Sequence, residues 1–183
     1  NGQSGGIYWT PFTDWARDPE RTVDAAPEYK YKDIYLYANG KPQELDGAYA
    51  VDPTHPAVEA MMKKTSGLFH RAGFEYVKMD FMTHGAMEAD KWYNPEIKTG
   101  IQGYNYGMKL LNQYFGDMYI NLSISPVFPA QYAQSRRIAC DAWNQIKDTE
   151  YTLNALSYGW WQKYIYQYND ADHIVLRDAT DGE

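Results

Sequence analysis

Phe74-Glu75-Tyr76-Val77-Lys78-Met79-Asp80-Phe81-Met82 is the stretch from which the fold can be read. Val77, Met79 and Phe81 alternate with Tyr76, Lys78 and Asp80, the period of two expected of a β-strand. Upstream, apolar and small residues recur from Pro56 to Ala72, and Gly73 ends the run, which predicts a helix. Helix, short turn and strand make half of a βαβ unit. Lys78 and Asp80 project from one face at the carboxyl end of the strand. In a (β/α)₈ barrel that edge carries the chemistry, and this α/β architecture is the expected fold.

The rest of the chain extends the pattern. Gly6 to Phe12 reads as a first strand with Pro11 near its end. Residues 13–53 read as a long excursion at the barrel mouth. Within it, alternation from Tyr29 to Tyr37 predicts a strand, and Asn39-Gly40 predicts a hairpin turn. Asp52 or Thr54 is the expected N-cap of the helix that Pro56 opens. A second helix is expected from Thr99 to Phe115, interrupted by Gly100, Gly103 and Gly107. Strands follow at Met118–Ser125, at Arg136–Trp143 after no more than a short helical turn, and at Tyr168–Leu176. A third helix is expected from Asp148 to about Gln162, with Trp160 and Trp161 packed on it. Neither an internal repeat nor a composition shift divides the chain, so residues 1–183 are expected to be one domain or part of one.

Composition narrows the partners. A net charge of −7 argues against nucleic acid or an anionic membrane surface. Mean hydropathy is −0.66, with no apolar run of membrane-spanning length. The single cysteine, Cys140, can form no internal disulfide, and its place in the alternation predicts a small core residue on the helix side of its strand. The 18 tyrosines and 6 tryptophans suit a core and equally suit stacking on sugar rings. His55, His70, His84 and His173 lack ligand-like spacing, and no glycine-rich loop precedes a helix with a phosphate-binding pattern. Neither metal nor nucleotide cofactor is therefore expected.

Two strands each carry a cation followed by an aspartate: Lys78 then Asp80, and Arg137 then Asp141. Tyr168, Asp170 and Asp172 share a face of the last strand. Carboxylates converging on a tyrosine-rich barrel mouth fit glycoside hydrolysis, which needs one carboxylate as nucleophile and a second carboxyl as general acid. A cation beside a carboxylate keeps it ionised, as a nucleophile requires.

Gly6-Ile7-Tyr8, Tyr76-Val77-Lys78-Met79-Asp80, Arg137-Ile138-Ala139-Cys140-Asp141 and Asn169-Asp170-Ala171-Asp172, in that order, resemble the α-galactosidase-type glycoside hydrolases of families 27 and 36. The resemblance implies Asp80 as nucleophile, Lys78 as a sugar-hydroxyl ligand, Asp141 as general acid/base and Arg137 as a sugar-binding neighbour. It implies lesser pocket roles for Tyr8 or Trp9 and for Asp170. The implied activity is retaining, exo-acting release of an α-linked galactose or related sugar. The alternative is a non-catalytic carbohydrate-binding scaffold on the same fold. The implied place in the fold is strands three to seven of eight, so the chain is expected to be a piece of a longer polypeptide. A secreted or periplasmic location suits a glycan-degrading enzyme. The loop Ser125-Pro126-Val127-Phe128-Pro129 departs from the galactosidase pattern where it should reach the sugar 2-position, and leaves the 2-substituent open.

Overall fold

The computed structural model describes residues 2–143 and 145–174. Five strands form one parallel sheet in chain order: β1 (Gly5–Trp9), β2 (Phe74–Met79), β3 (Tyr119–Leu122), β4 (Ser135–Arg137) and β5 (Tyr168–Asp170). Three long helices accompany them: α1 (Pro56–Arg71) before β2, α2 (Gly100–Phe115) before β3 and α3 (Ile146–Tyr158) before β5. The strand order never reverses, as in a barrel wall and unlike a doubly wound sheet. Among the described residues β1 and β5 do not pair, so the sheet is open. The segment between β3 and β4 holds no helix; the expected helical turn is absent from its described residues. No described helix is long and apolar enough to cross a membrane.

Register fixes the two faces. Ile7, Val77 and Ile120 align across β1, β2 and β3, as do Trp9, Met79 and Leu122. This face meets α1 and α2, where Val58, Met62, Met108, Leu111 and Phe115 are fully buried. Burial of such side chains stabilises the fold by roughly 1.5–3 kcal/mol each. Tyr8, Lys78, Asn121 and Ser135 align on the opposite, polar face.

The glycines of α2 are points of contact rather than interruptions. Gly100, Gly103 and Gly107 share a helix face. A Cβ on Gly107 would lie 2.7 Å from the Pro53 side chain and 2.8 Å from the Phe12 ring, and one on Gly100 would strike the Ala86 carbonyl. Their bareness lets α2 lie directly on the excursion and on the turn after β2.

Several sequence expectations need correction. The alternation from Tyr29 to Tyr37 does not make a strand. Tyr31, Ile34 and Tyr35 are buried at i, i+3 and i+4, and Tyr31–Ile34 is a helical turn; the strand that follows is only Tyr37–Ala38, paired with Lys41–Pro42 across Asn39-Gly40. A further hairpin turns at Asp46-Gly47, both at positive φ, and joins Glu44–Leu45 to Ala48–Ala50. The N-cap of α1 is His55, whose Nδ1 accepts from the Ala57 amide at 3.1 Å. Asp52 and Thr54 are otherwise engaged: Asp52 accepts from Thr54 and from the Tyr93 amide at 2.6 Å. Trp160 and Trp161 lie beyond the end of α3, on a 3₁₀ turn, at 57% and 41% exposure. Val175 and Leu176, expected in the last strand, lie outside the described residues.

Two outcomes test this packing. Gly107→Ala should lower stability by about 1–3 kcal/mol through overpacking, read as a lower denaturation midpoint; an unchanged midpoint would mean that α2 does not approach Phe12 and Pro53 so closely. The second concerns the pair between α1 and β3. His70 Nε2 lies 2.8 Å from Asp117, whose hydrogen bond raises the His70 pKa above 6.5, while His70 lowers that of Asp117 below 3.8. The raised histidine contributes stability that is full below 6.5 and lost as pH rises through its folded value. The lowered carboxyl contributes above 3.8 and is lost as pH falls through its own. Asp117→Asn should therefore flatten the decline in stability measured by urea unfolding between about pH 6 and 8.

Candidate functional site

The carboxyl edge of the sheet opens into a cleft of about 720 Å³ whose lining includes Tyr8, Lys78, Asp80, Arg137, Asp141 and Trp143. Register accounts for the first pair, since Tyr8 sits opposite Lys78 in the β1–β2 ladder. Asp80 is the residue after β2's last ladder position and is mostly buried. It is held from two sides: Tyr8 donates its hydroxyl at 3.2 Å, and the Phe81 amide donates at 2.7 Å. Burial, then the charge and hydrogen bond of Asp80, then the charge of Asp141, push the Tyr8 phenol up to about 12. Tyr8 is thus a neutral donor to Asp80 at ordinary pH. Lys78 stands apart from Asp80 among the described contacts, with its ammonium 6.0 Å from the centre of the Tyr8 ring.

The backbone turns sharply at the ends of β2 and β3. Phe81 and Ile124 both take positive φ, 54° and 42°, which is strained for a β-branched residue such as Ile124. The two turns are laced together: the Thr83 amide and hydroxyl both donate to the Ile124 carbonyl, at 2.8 and 2.7 Å. Both Phe81 and Ile124 line the cleft. Such strain persists where surrounding contacts enforce it, and it clusters at functional sites.

Arg137 organises the other wall. Its side chain is only 7% exposed, and it meets three carboxylates: Asp141 at 2.7 Å, Asp172 at 3.2 Å and Asp170 at 3.3 Å. Asp170 also accepts from Asn121 at 2.7 Å and from the Asp172 amide at 2.9 Å. Burial acts to raise the Asp170 pKa; these bonds and the Arg137 charge outweigh it, so the carboxyl lies below its ordinary value. Asp172 reaches back to the Ala142 amide at 2.8 Å and so fixes the chain beside Asp141. Asp141 itself is 58% exposed and faces the open cleft. It does not lie on a strand, because β4 ends at Arg137. Among the described residues, no group of three or more His, Cys, Asp or Glu is arranged to hold a metal ion.

The structure thus brings Tyr8, Lys78, Asp80, Arg137 and Asp141 to one cleft, with Asp170 beneath Arg137. Trp9 faces the other way, its ring 5.5 Å from that of Phe115 and 6.4 Å from that of Phe69 in the helix-side core. Cys140 is exposed and lines the cleft, not the core, because the ladder that would have turned it inward has already ended. His84 is fully buried and ties the turn after Asp80 to the excursion, its ring nitrogens 2.9 Å from the Phe81 carbonyl and 2.8 Å from that of Leu45.

Two residues escaped the sequence reading as site elements. Asn121 accepts from Ser135 at 2.8 Å and donates to Tyr76 at 2.8 Å and to Asp170, joining its own strand to three others. Its alignment with Lys78 across the ladder is the signal that could have found it. Arg136 turns to the helix side and donates to the Ser125 carbonyl at 2.8 Å, and burial draws its pKa down.

No protein-family model and no curated protein matches the chain. Solved structures match it in fold. An α-galactosidase from Thermus thermophilus, solved with stachyose, superposes with a TM-score of 0.71 at 20% identity, over 93% of this chain and 39% of that one. A family 27 β-L-arabinopyranosidase from Geobacillus stearothermophilus gives 0.61 at 18% identity, over 99% and 42%. A family 36 α-galactosidase from the same organism gives 0.57 at 17% identity, over 96% and 25%. The chain therefore spans well under half the length of these glycoside hydrolases, and what it shares with them at such identities is the fold.

Asn121→Ala should leave Tyr76, Ser135 and Asp170 each short of a partner. The expected cost is about 1–3 kcal/mol, with the Asp170 carboxyl titrating closer to the ordinary 3.8 in a carbonyl-resolved NMR titration. An unmoved Asp170 titration would show that Arg137 and the Asp172 amide hold it without Asn121.

Proposed function

We propose that this open sheet is an arc of a (β/α)₈ barrel and that its cleft belongs to a retaining, exo-acting glycoside hydrolase that releases α-linked galactose or a closely related sugar. The observation that carries this reading is that Asp80 and Asp141, beyond the ends of β2 and β4 respectively, line one cleft at the carboxyl edge of a parallel sheet. The fold shared with α-galactosidases and an arabinopyranosidase supports the same class.

In this reading the Asp80 carboxylate attacks the anomeric carbon and forms a glycosyl ester. The bond to the leaving oxygen breaks as the Asp141 carboxyl gives that oxygen its proton. Asp141, now a carboxylate, takes a proton from a water that attacks the same carbon and frees Asp80. Tyr8 steadies Asp80 by donating to it, while Lys78 and Arg137 bind sugar hydroxyls. Asp170 keeps Arg137 in place.

Three measurements on the full-length protein bear on the assignment. NMR of the first sugar formed should show retention of the anomeric configuration; inversion ends the proposal. Asp80→Asn should abolish turnover of every substrate. Asp141→Ala should cost about 10²–10⁴-fold on unactivated glycosides and much less on aryl glycosides, whose leaving groups need no proton. Sugar binding without turnover by the wild-type protein would assign it instead as a carbohydrate-binding scaffold.

A further inference from the structure

Where the excursion meets the loop that leads into α2, there is a hollow of about 550 Å³. Its lining includes Tyr35, Tyr37, Asp52, His55, Trp92 and Tyr93, and it shares no residue with the cleft. Hydrogen bonds fix its walls to one another. The Asp52 amide donates to the Ile34 carbonyl at 2.7 Å, and the Asp90 amide donates to the Tyr37 carbonyl at 2.8 Å. The Tyr93 amide donates to the Asp52 carboxylate at 2.6 Å. The hollow is thus formed by the fold itself, as ligand sites commonly are.

His55 is the buried polar group of this hollow. It is 4% exposed, and its ring stands between those of Tyr29 and Tyr93, at 4.7 and 4.6 Å. Because Nδ1 accepts from the Ala57 amide, the proton of the neutral ring sits on Nε2. Burial draws the His55 pKa below 6.5, so the ring is that neutral donor at pH 7. Among the described hydrogen bonds Nε2 has no partner, and it is not among the buried unpaired atoms either, so it keeps an opening to solvent. A fixed donor left open in a pocket wall is placed to meet an acceptor on a ligand.

The rest of the lining says which ligand. An anion would meet Asp33 and Asp52, and a cation would meet Lys32 and Lys91. A neutral ligand rich in hydroxyls meets neither opposition, since each hydroxyl can both donate and accept. Tyr93, 56% exposed, supplies an aromatic face at the lip. We propose that this hollow is an ancillary carbohydrate site that holds a neutral pyranose ring outside the cleft. His55 Nε2 donates to a ring hydroxyl, and Tyr93 stacks on the ring's apolar face. The site binds without reacting, because the Asp52 carboxylate is already taken up by Thr54 and the Tyr93 amide. The inference stands apart from the roles given to Asp80 and Asp141.

The test uses full-length Asp80→Asn protein, titrated by calorimetry with raffinose, a neutral trisaccharide, and with trigalacturonate, an acidic one of like size. On that background Tyr93→Ala should weaken one raffinose site about tenfold or more, and Tyr93→Phe should retain it. In protein that keeps Asp80, Tyr93→Ala should leave kcat/KM on an aryl α-galactoside unchanged, which also shows that the variant folds. Raffinose binding indifferent to Tyr93→Ala overturns the site. Tighter Tyr93-dependent binding of trigalacturonate overturns its neutral ligand class, and loss of aryl turnover in Tyr93→Ala overturns its independence of the cleft. If protein that keeps Asp80 turns over no galactoside, the hydrolase reading fails. Raffinose binding that depends on Tyr93, in a variant with an unchanged denaturation midpoint, then still upholds this site, and binding that does not overturns it.

Discussion

A parallel ladder sends alternate side chains to opposite faces, and in this sheet the consequence is unusually clean. The row containing Val77 and Ile120 can only meet helices, and the row containing Lys78 and Asn121 cannot. The cleft residues carried on the ladder inherit their place from that division. Tyr8 reaches Asp80 because β1 and β2 are in a register that seats Tyr8 beside Lys78, one step earlier. Asn121 reaches Asp170 across an intervening strand because its row runs through Ser135 to Tyr168, and Asp170 is the next residue of β5 on that face.

Within this frame the cations divide their work by face. Arg136 and Arg137 are neighbours in sequence and opposite in direction. One secures the chain after β3 from the helix side, and the other gathers three carboxylates on the inner side. A single guanidinium can do this because its donors radiate in a plane, whereas an ammonium would act as a point charge. The carboxylates are themselves linked, through the Asp172 amide and Asn121, so the cluster is a network rather than a set of pairs.

Much of this was legible in the sequence, and the failures share a cause. The segment through Lys78 and the helix from Pro56 were clear because an apolar period of two or of 3.6 persisted over many residues. The strand at Arg136 was read too long, since side-chain alternation continues to Trp143 whereas the hydrogen-bonded ladder ends at Arg137. The excursion was misread because tyrosines serve either periodicity, and Tyr31, Ile34 and Tyr35 followed the helical one. The bareness of Gly100 and Gly107 speaks of neighbours far away in sequence, which no local window contains. Asp80, Asp141, Lys78 and Arg137 stand out in the sequence because each falls at or just past the carboxyl end of an expected strand, and the structure gathers all four at one cleft. Asn121 was passed over because a lone amide carries no such signal until the register is known.

The early end of β4 divides the molecule into parts with different sensitivities. Between Arg137 and Asp141 the chain has left the ladder, and Asp141 is placed by an ion pair and by the grip of Asp172 on the neighbouring amide. Apolar packing, which holds the sheet to its helices, is indifferent to moderate salt or acid; exposed ionic bonds are not. Solution conditions therefore reach Asp141 before they reach the sheet. The molecule can lose the placement of Asp141 while keeping its described strands and helices, so disordering of the cleft and unfolding of the sheet are separate events along separate axes.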